Sequence, residues 1–132
     1  MEKSKLSLSV LPDQLAVCRL TADARIPEWA LNPAVLTSIT RTRDELSIVC
    51  PQANVPAGIQ TETGWKALKV EGPLDFSLTG ILASLANPLA EAKISIFAIS
   101  TFDTDYVLVK EENLAAAVKI LSGFCEFAQS GD

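Results

Sequence analysis

The strongest constraint on this chain is how its apolar residues change period across the second half. Gly64 to Val70 reads as a strand that Gly72-Pro73 ends. Leu78, Ile81, Leu82, Leu85 and Leu89 then recur at helical spacing and form one stripe. They predict a helix between Phe76 and Ala92, with Asp75 or Ser77 as its N-cap. Asn87-Pro88 predicts a bend or break within it. Residues 93–100 and 105–110 are apolar, strand-like runs joined by the polar step Thr101-Phe102-Asp103-Thr104-Asp105. Glu111-Glu112-Asn113 places acids at the positive end of a last helix, whose apolar set is Leu114, Ala117, Val118 and Leu121. Phe124 to Phe127 can add a short strand. The order strand, helix, strand, strand, helix, strand is the split βαβ: an α+β, ferredoxin-like unit with one antiparallel sheet and helices on one face.

The first half has the same strands with weaker helices. Residues 6–10 and 15–20 read as strands, and 27–31 as one helical turn stopped by Asn32-Pro33. Residues 35–40 and 45–50 form a hairpin across Arg41 to Asp44, and the prolines of 51–58 limit any helix there to a short one. Without a gap, Ile39-Thr40 aligns with Ile99-Ser100 and Ile48-Val49 with Leu108-Val109. The same offset of sixty pairs Leu8 with Leu68 and Val10 with Val70. Two readings fit: duplication of a unit of about sixty residues, or the general likeness of apolar hairpins. The duplication reading divides the chain into a degenerate N-terminal unit, 1–63, and a complete unit, 64–132, the first with its leading helix lost or shortened.

Composition excludes several chemistries. The chain has 132 residues and no histidine, which removes the commonest general base and any histidine-based metal site. Cys18, Cys50 and Cys125 are far apart and form no metal or redox spacing. Cys18 and Cys50 lie in apolar runs that suit buried thiols. A net charge of −5 with no basic stripe disfavours nucleic acid. No run is long enough to span a membrane, and the N-terminus lacks the apolar core of a signal peptide, so a cytoplasmic protein is expected. Lys66, Lys69, Lys93, Lys110 and Lys119 sit in solvated contexts and no nucleophile–base pair is visible. The expectation is therefore no catalytic residue, no cofactor and no metal.

The run VEGPLDFSLTGILASLANPLAEAKISIFAISTFDTDYVLVKEENLAAAVKIL, residues 70–121, resembles the ACT domain family, including small tandem-ACT proteins and the ACT units of cytosolic arginine sensors. The resemblance is strong over the last seventy residues or so and weaker before them. It implies tandem βαββαβ units and a non-catalytic regulatory module that binds an amino acid or a similar small zwitterion, with a homodimer as the expected assembly. It also implies a site. The loop before the first helix supplies Asp75, Ser77, Leu78, Thr79 and Gly80, where free helix N–H groups would hold a carboxylate. The step between the second and third strands supplies Thr101, Phe102 and Asp105, the last able to receive an ammonium or guanidinium group. Pro73 stands seven residues before Gly80 rather than beside it, a departure from the commoner ACT pattern.

Plainer roles fit the same residues. Asp103 and Asp105 suit a simple turn, Ser77 and Thr79 suit caps, and Gly80 suits close helix–sheet contact. Phe97, Phe102, Trp29 and Trp65 suit packing. On that reading the chain is an ACT-fold interaction module without a ligand.

Overall fold

The computed structural model describes residues 6–72 and 80–128. The chain divides into two compact units, Asp13–Trp65 and Met1–Pro12 with Lys66–Asp132. The first strand, Leu6–Val10, is grouped with the second of these units.

In the first unit, β2 (Leu15–Leu20), β3 (Ser38–Arg41), β4 (Leu46–Pro51) and the start of β5 (Gln60–Val70) pair in the order β3-β4-β2-β5, every pair antiparallel. Single 3-10 turns at Glu28–Leu31 and Gln52–Asn54 stand between the strands. Pro27 and Pro51 immediately precede these turns, and Asn32 and Val55 return to extended backbone, so neither turn lengthens. The core joins Ala16, Cys18, Ala30, Leu46, Ile48 and Cys50. β5 begins four residues before the expected Gly64, because polar Gln60 to Thr63 complete the ladder with β2. The register shifts between Leu15 and Val17, where Gly64 has φ +80°. This bulge is pinned: Gly64 N–H donates to Gln52 Oε1 at 2.8 Å, and Gln52 Nε2 donates to Gln14 Oε1 at 2.8 Å.

In the second unit, β1 (Leu6–Val10), the end of β5, β6 (Ile96–Ser100), β7 (Asp105–Lys110) and β8 (Cys125–Phe127) pair in the order β6-β7-β5-β1-β8. Leu8 faces Val70 and Val10 faces Leu68 in an antiparallel pair, while Leu6 to Leu8 run parallel to Cys125–Phe127. The expected purely antiparallel sheet is thus corrected. β1 occupies the edge of β5, and β8, arriving after α2, must pair with β1 in the same direction. Leu8/Val10 and Leu68/Val70, alike at an offset of sixty, lie on neighbouring strands and pack against the same core. Leu8, Leu68, Val70, Val107, Val109 and Cys125 share a core with Leu85 and Leu89 of α1 (Ile81–Glu91) and Ala117 and Leu121 of α2 (Leu114–Leu121). The two helices touch.

The helix boundaries differ from expectation. The N-cap of α1 is Gly80, at φ +79° and with no side-chain cap, rather than Asp75 or Ser77, which lie outside the described residues. Gly80 C=O accepts Ser84 N–H at 2.9 Å, the first intrahelical bond. The helix continues through Pro88 instead of breaking there, and Ala92 N–H donates to Pro88 C=O at 3.2 Å. It ends in a Schellman motif. Ile94 N–H donates to Leu89 C=O and Lys93 N–H to Ala90 C=O, both at 2.9 Å, and Ile94 packs in the same core as Leu89. The left-handed position is filled by Lys93, φ +63°, where glycine is the usual occupant.

Candidate functional site

The step between β6 and β7 is a tight turn closed from within. Thr101 N–H donates to Thr104 C=O at 2.8 Å, and Thr101 Oγ1 donates to the same carbonyl at 3.1 Å or accepts Thr104 N–H at 3.3 Å. The other hairpin is closed in the same way: Thr42 N–H donates to Glu45 C=O at 2.9 Å, and Thr42 Oγ1 accepts Asp44 and Glu45 N–H at 3.1 and 3.2 Å. The two turns superpose Thr42 on Thr101 and Asp44 on Asp103, an offset of fifty-nine. The gapless offset of sixty therefore slips by one residue in the hairpins. Leu46, fully buried, stands where the second unit has Asp105.

Thr104 is the residue that sequence reasoning missed. It is the only buried polar side chain among the described residues, and its Oγ1 donates to Val70 C=O at 2.6 Å. Val70 ends β5, so this bond fastens the turn to the strand that precedes α1 in the chain. A polar side chain buried at a hairpin needs a partner, and that rule was the available signal, although the partner itself lies 34 residues away in sequence. The same strand end is held from the other side. Glu71 N–H donates to Ser7 C=O at 2.7 Å, and Ser9 Oγ donates to the Glu71 carboxylate, which also lies 4.0 Å from Lys69 Nζ.

The remaining expected residues take distinct places. Asp105 is half-buried at the start of β7, and Ser100 Oγ donates to its Oδ1 at 2.7 Å. Thr101 and Asp103 are exposed, and Phe102 is 80% exposed at the tip. Asp75, Ser77, Leu78 and Thr79 lie outside the described residues. Gly80 opens α1, and among the described residues nothing comes within 4 Å of where a Cβ would sit. Its requirement is therefore positive φ rather than close contact with a neighbour. Connectivity orders these pieces. β5 ends at Val70 beside the turn, α1 is followed by the left-handed Lys93, and β6 finishes at Ser100. The end of β5 and the β6–β7 turn thus lie together in the second unit.

The turn offers hydroxyls and the Asp105 carboxylate, whose Oδ1 accepts from Ser100, and α1 opens on Gly80 without a side-chain cap. A carboxylate such as that of Asp105 can receive a cationic group, and the first N–H groups of a helix can receive an anion. Elsewhere, burial pushes the Cys50 thiol up to about 11, aided by the adjacent Cys18. Burial also raises Cys18, against the hydrogen bonds of Thr61 and Cys50. Both stay protonated and inert at neutral pH. Among the described residues, no cluster of three or more metal-ligating side chains exists, and no helix is long and apolar enough to cross a membrane.

A sequence model described as the ACT domain matches residues 60–123, and one described as an N-terminal domain matches 13–58. A crystal structure of a protein from Agrobacterium tumefaciens superposes with a TM-score of 0.90 at 35% identity, covering 98% of this chain and 97% of that one. The human cytosolic arginine sensor for mTORC1 subunit 1 is 41% identical over 58 residues, 43% of this chain and 18% of the sensor, so the chain spans under a fifth of that relative. The regulatory subunit of aspartate kinase from Thermus thermophilus shares the fold, with a TM-score of 0.60 at 11% identity over 86% of this chain and 95% of that one. Sequence and architecture agree, and this chain belongs to the ACT domain family.

Proposed function

We propose that the chain is a non-catalytic regulatory module of two ACT-type, ferredoxin-like units that binds one amino acid or similar zwitterion per chain and acts as a cytoplasmic homodimer. The observation that carries this reading is the Thr104–Val70 bond, which joins the Asp105-bearing turn to the strand leading into α1. A ligand carboxylate would take the N–H groups following Gly80, and its ammonium or cationic side chain would take the outer oxygen of Asp105. Thr101 and Phe102 would flank it, and Asp75, Ser77, Leu78 and Thr79 are the further residues proposed to contact it.

The strand orders support two units of one plan, divided near residues 63–66, with β1 joining the second. The first unit has Leu46 in place of Asp105 and 3-10 turns in place of helices, so it lacks both halves of a cradle. The name of the arginine sensor supports an amino acid as ligand and a cytosolic setting. The test is a melting-shift screen of the standard amino acids. A ligand at a hundred times its Kd adds about 2.7 kcal/mol of stability, and Asp105→Asn should abolish the shift with the fold retained. No shift with any of them favours the ligand-free interaction module.

A further inference from the structure

The chain sorts its two strong cations by unit. All four arginines, Arg19, Arg25, Arg41 and Arg43, lie in the first unit, and all seven lysines lie in the second. The two side chains are not equivalent. A guanidinium is weakly hydrated, forks onto carboxylates and is enriched in protein interfaces, whereas an ammonium is strongly hydrated and suits open solvent. The four arginines are exposed, and among the described residues none forms an ion pair, although Asp23, Glu28, Asp44 and Glu45 share their stretch of chain. Two of them brace the backbone instead. Arg41 donates to Ala22 C=O and, at 2.7 Å, to Ala24 C=O, and Arg19 donates to Asp44 C=O at 2.9 Å. Arg41 thus pins the chain that enters Arg25, and Arg19 pins the turn that carries Arg43.

The same stretch carries most of the apolar exposure. Ile26, Leu31 and Val35 are 45, 67 and 61% exposed and are the only exposed large aliphatic side chains among the described residues. They are not loose. Ala30, fully buried, ties the 3-10 turn Glu28–Leu31 into the core with Leu46, Ile48 and Cys50, and Leu36 is buried just beyond Val35. The turn is closed by Ala30 N–H, which donates to Pro27 C=O at 3.1 Å. Core contacts within the run thus hold the three aliphatics in water, and apolar side chains held outward together mark a surface that a partner covers.

We propose that this surface of the first unit docks an acidic, amphipathic segment of a partner protein, with carboxylates on Arg25 and Arg43 and apolar side chains on Ile26, Leu31 and Val35. Charge selects that occupant. The chain as a whole is negative, at −5, so an acidic partner is repelled elsewhere and drawn to the arginines. The four carboxylates interspersed among them break any continuous positive track. That disfavours a nucleic acid or an anionic membrane and leaves room for discrete carboxylates. The braced backbone holds Arg25 and Arg43 in place before docking, so less freedom is lost on binding. The inference goes beyond the amino-acid reading: it gives the module a surface for its target, on the unit that lacks the proposed cradle.

Random peptides of about 15 residues, roughly 22 Å long as a helix, displayed on phage and selected on the full chain, test this. Recovered peptides should combine Asp or Glu with Leu, Ile or Phe. By fluorescence anisotropy, a recovered peptide should lose about tenfold or more in affinity for Arg25→Glu with Arg43→Glu, and for Leu31→Ser, each with unchanged circular dichroism. Lys93→Glu with Lys119→Glu changes the net charge equally and should leave the affinity unchanged. Selection of basic or uncharged peptides, no enrichment, unchanged affinity in the first-unit variants, or equal loss in the lysine variant overturns the proposal. A wild-type dimer that the arginine variant turns into a monomer also overturns it, by assigning the face to a second copy. The two readings fail separately. Peptide docking without any amino-acid melting shift removes only the ligand, and a melting shift without peptide docking removes only the surface.

Discussion

Replacing Thr104 with valine removes one hydroxyl and almost no volume, so it isolates the bond that fastens the β6–β7 turn to β5. The group is buried and its partner, Val70 C=O, is 2.6 Å away. A neutral hydrogen bond contributes about 1 kcal/mol net, and a buried acceptor left without its donor costs about 1–3 kcal/mol. Thr104→Val should therefore cost about 2 kcal/mol. Thr104→Ser keeps the hydroxyl and loses a methyl group, for which about 1 kcal/mol is expected. Urea denaturation at constant m measures both. Valine should be the worse substitution although it is the more apolar one. In the amino-acid screen it should also weaken binding more than serine does, because the turn is no longer held to the strand that precedes α1. If valine is as stable as wild type, or serine is as destabilising as valine, the bond does not fasten the turn and the site loses its frame.

Lys93→Gly should raise stability by about 0.5–1 kcal/mol, since glycine takes the left-handed position of the Schellman motif without the Cβ penalty; urea midpoints check it. Gly80→Ala should lower stability by a similar amount, about 1 kcal/mol, through the same penalty in reverse. Cys50 has a folded-state pKa above its unfolded value, so its contribution is complete below about 9, the ordinary thiol value, and is lost as pH rises towards about 11. Stability should therefore fall across that window, and the fall should be shallower in Cys50→Ala when both are melted at each pH.

Periodicity carried most of the architecture because burial on one face imposes it. The Leu85/Leu89 stripe, the Ile96–Ser100 and Asp105–Lys110 strands and the Ala117/Leu121 face all follow from spacing alone. Partner choice did not follow, because alternation says which face of a strand is buried and not which strand lies beside it. β1 and the Leu68–Val70 strand match at an offset of sixty and are also neighbours in the sheet, which spacing alone does not tell. Gln60 to Thr63 escaped notice because polar residues that complete a ladder show no apolar period. Asp75 and Ser77 are good caps by type, yet positive φ at Gly80 begins the helix described. At the turn, composition pointed to Asp105 and Thr101, but Thr104 reads as one more turn residue until its contact with Val70 is seen.

The most direct measurement is a crystal structure with the amino acid that gives the largest melting shift. The account predicts its α-carboxylate on the N–H groups just after Gly80 and a positively charged group on Asp105, once per chain. A ligand bound at the Thr42–Glu45 turn of the first unit, or one in the second unit that touches neither the α1 start nor Asp105, contradicts it.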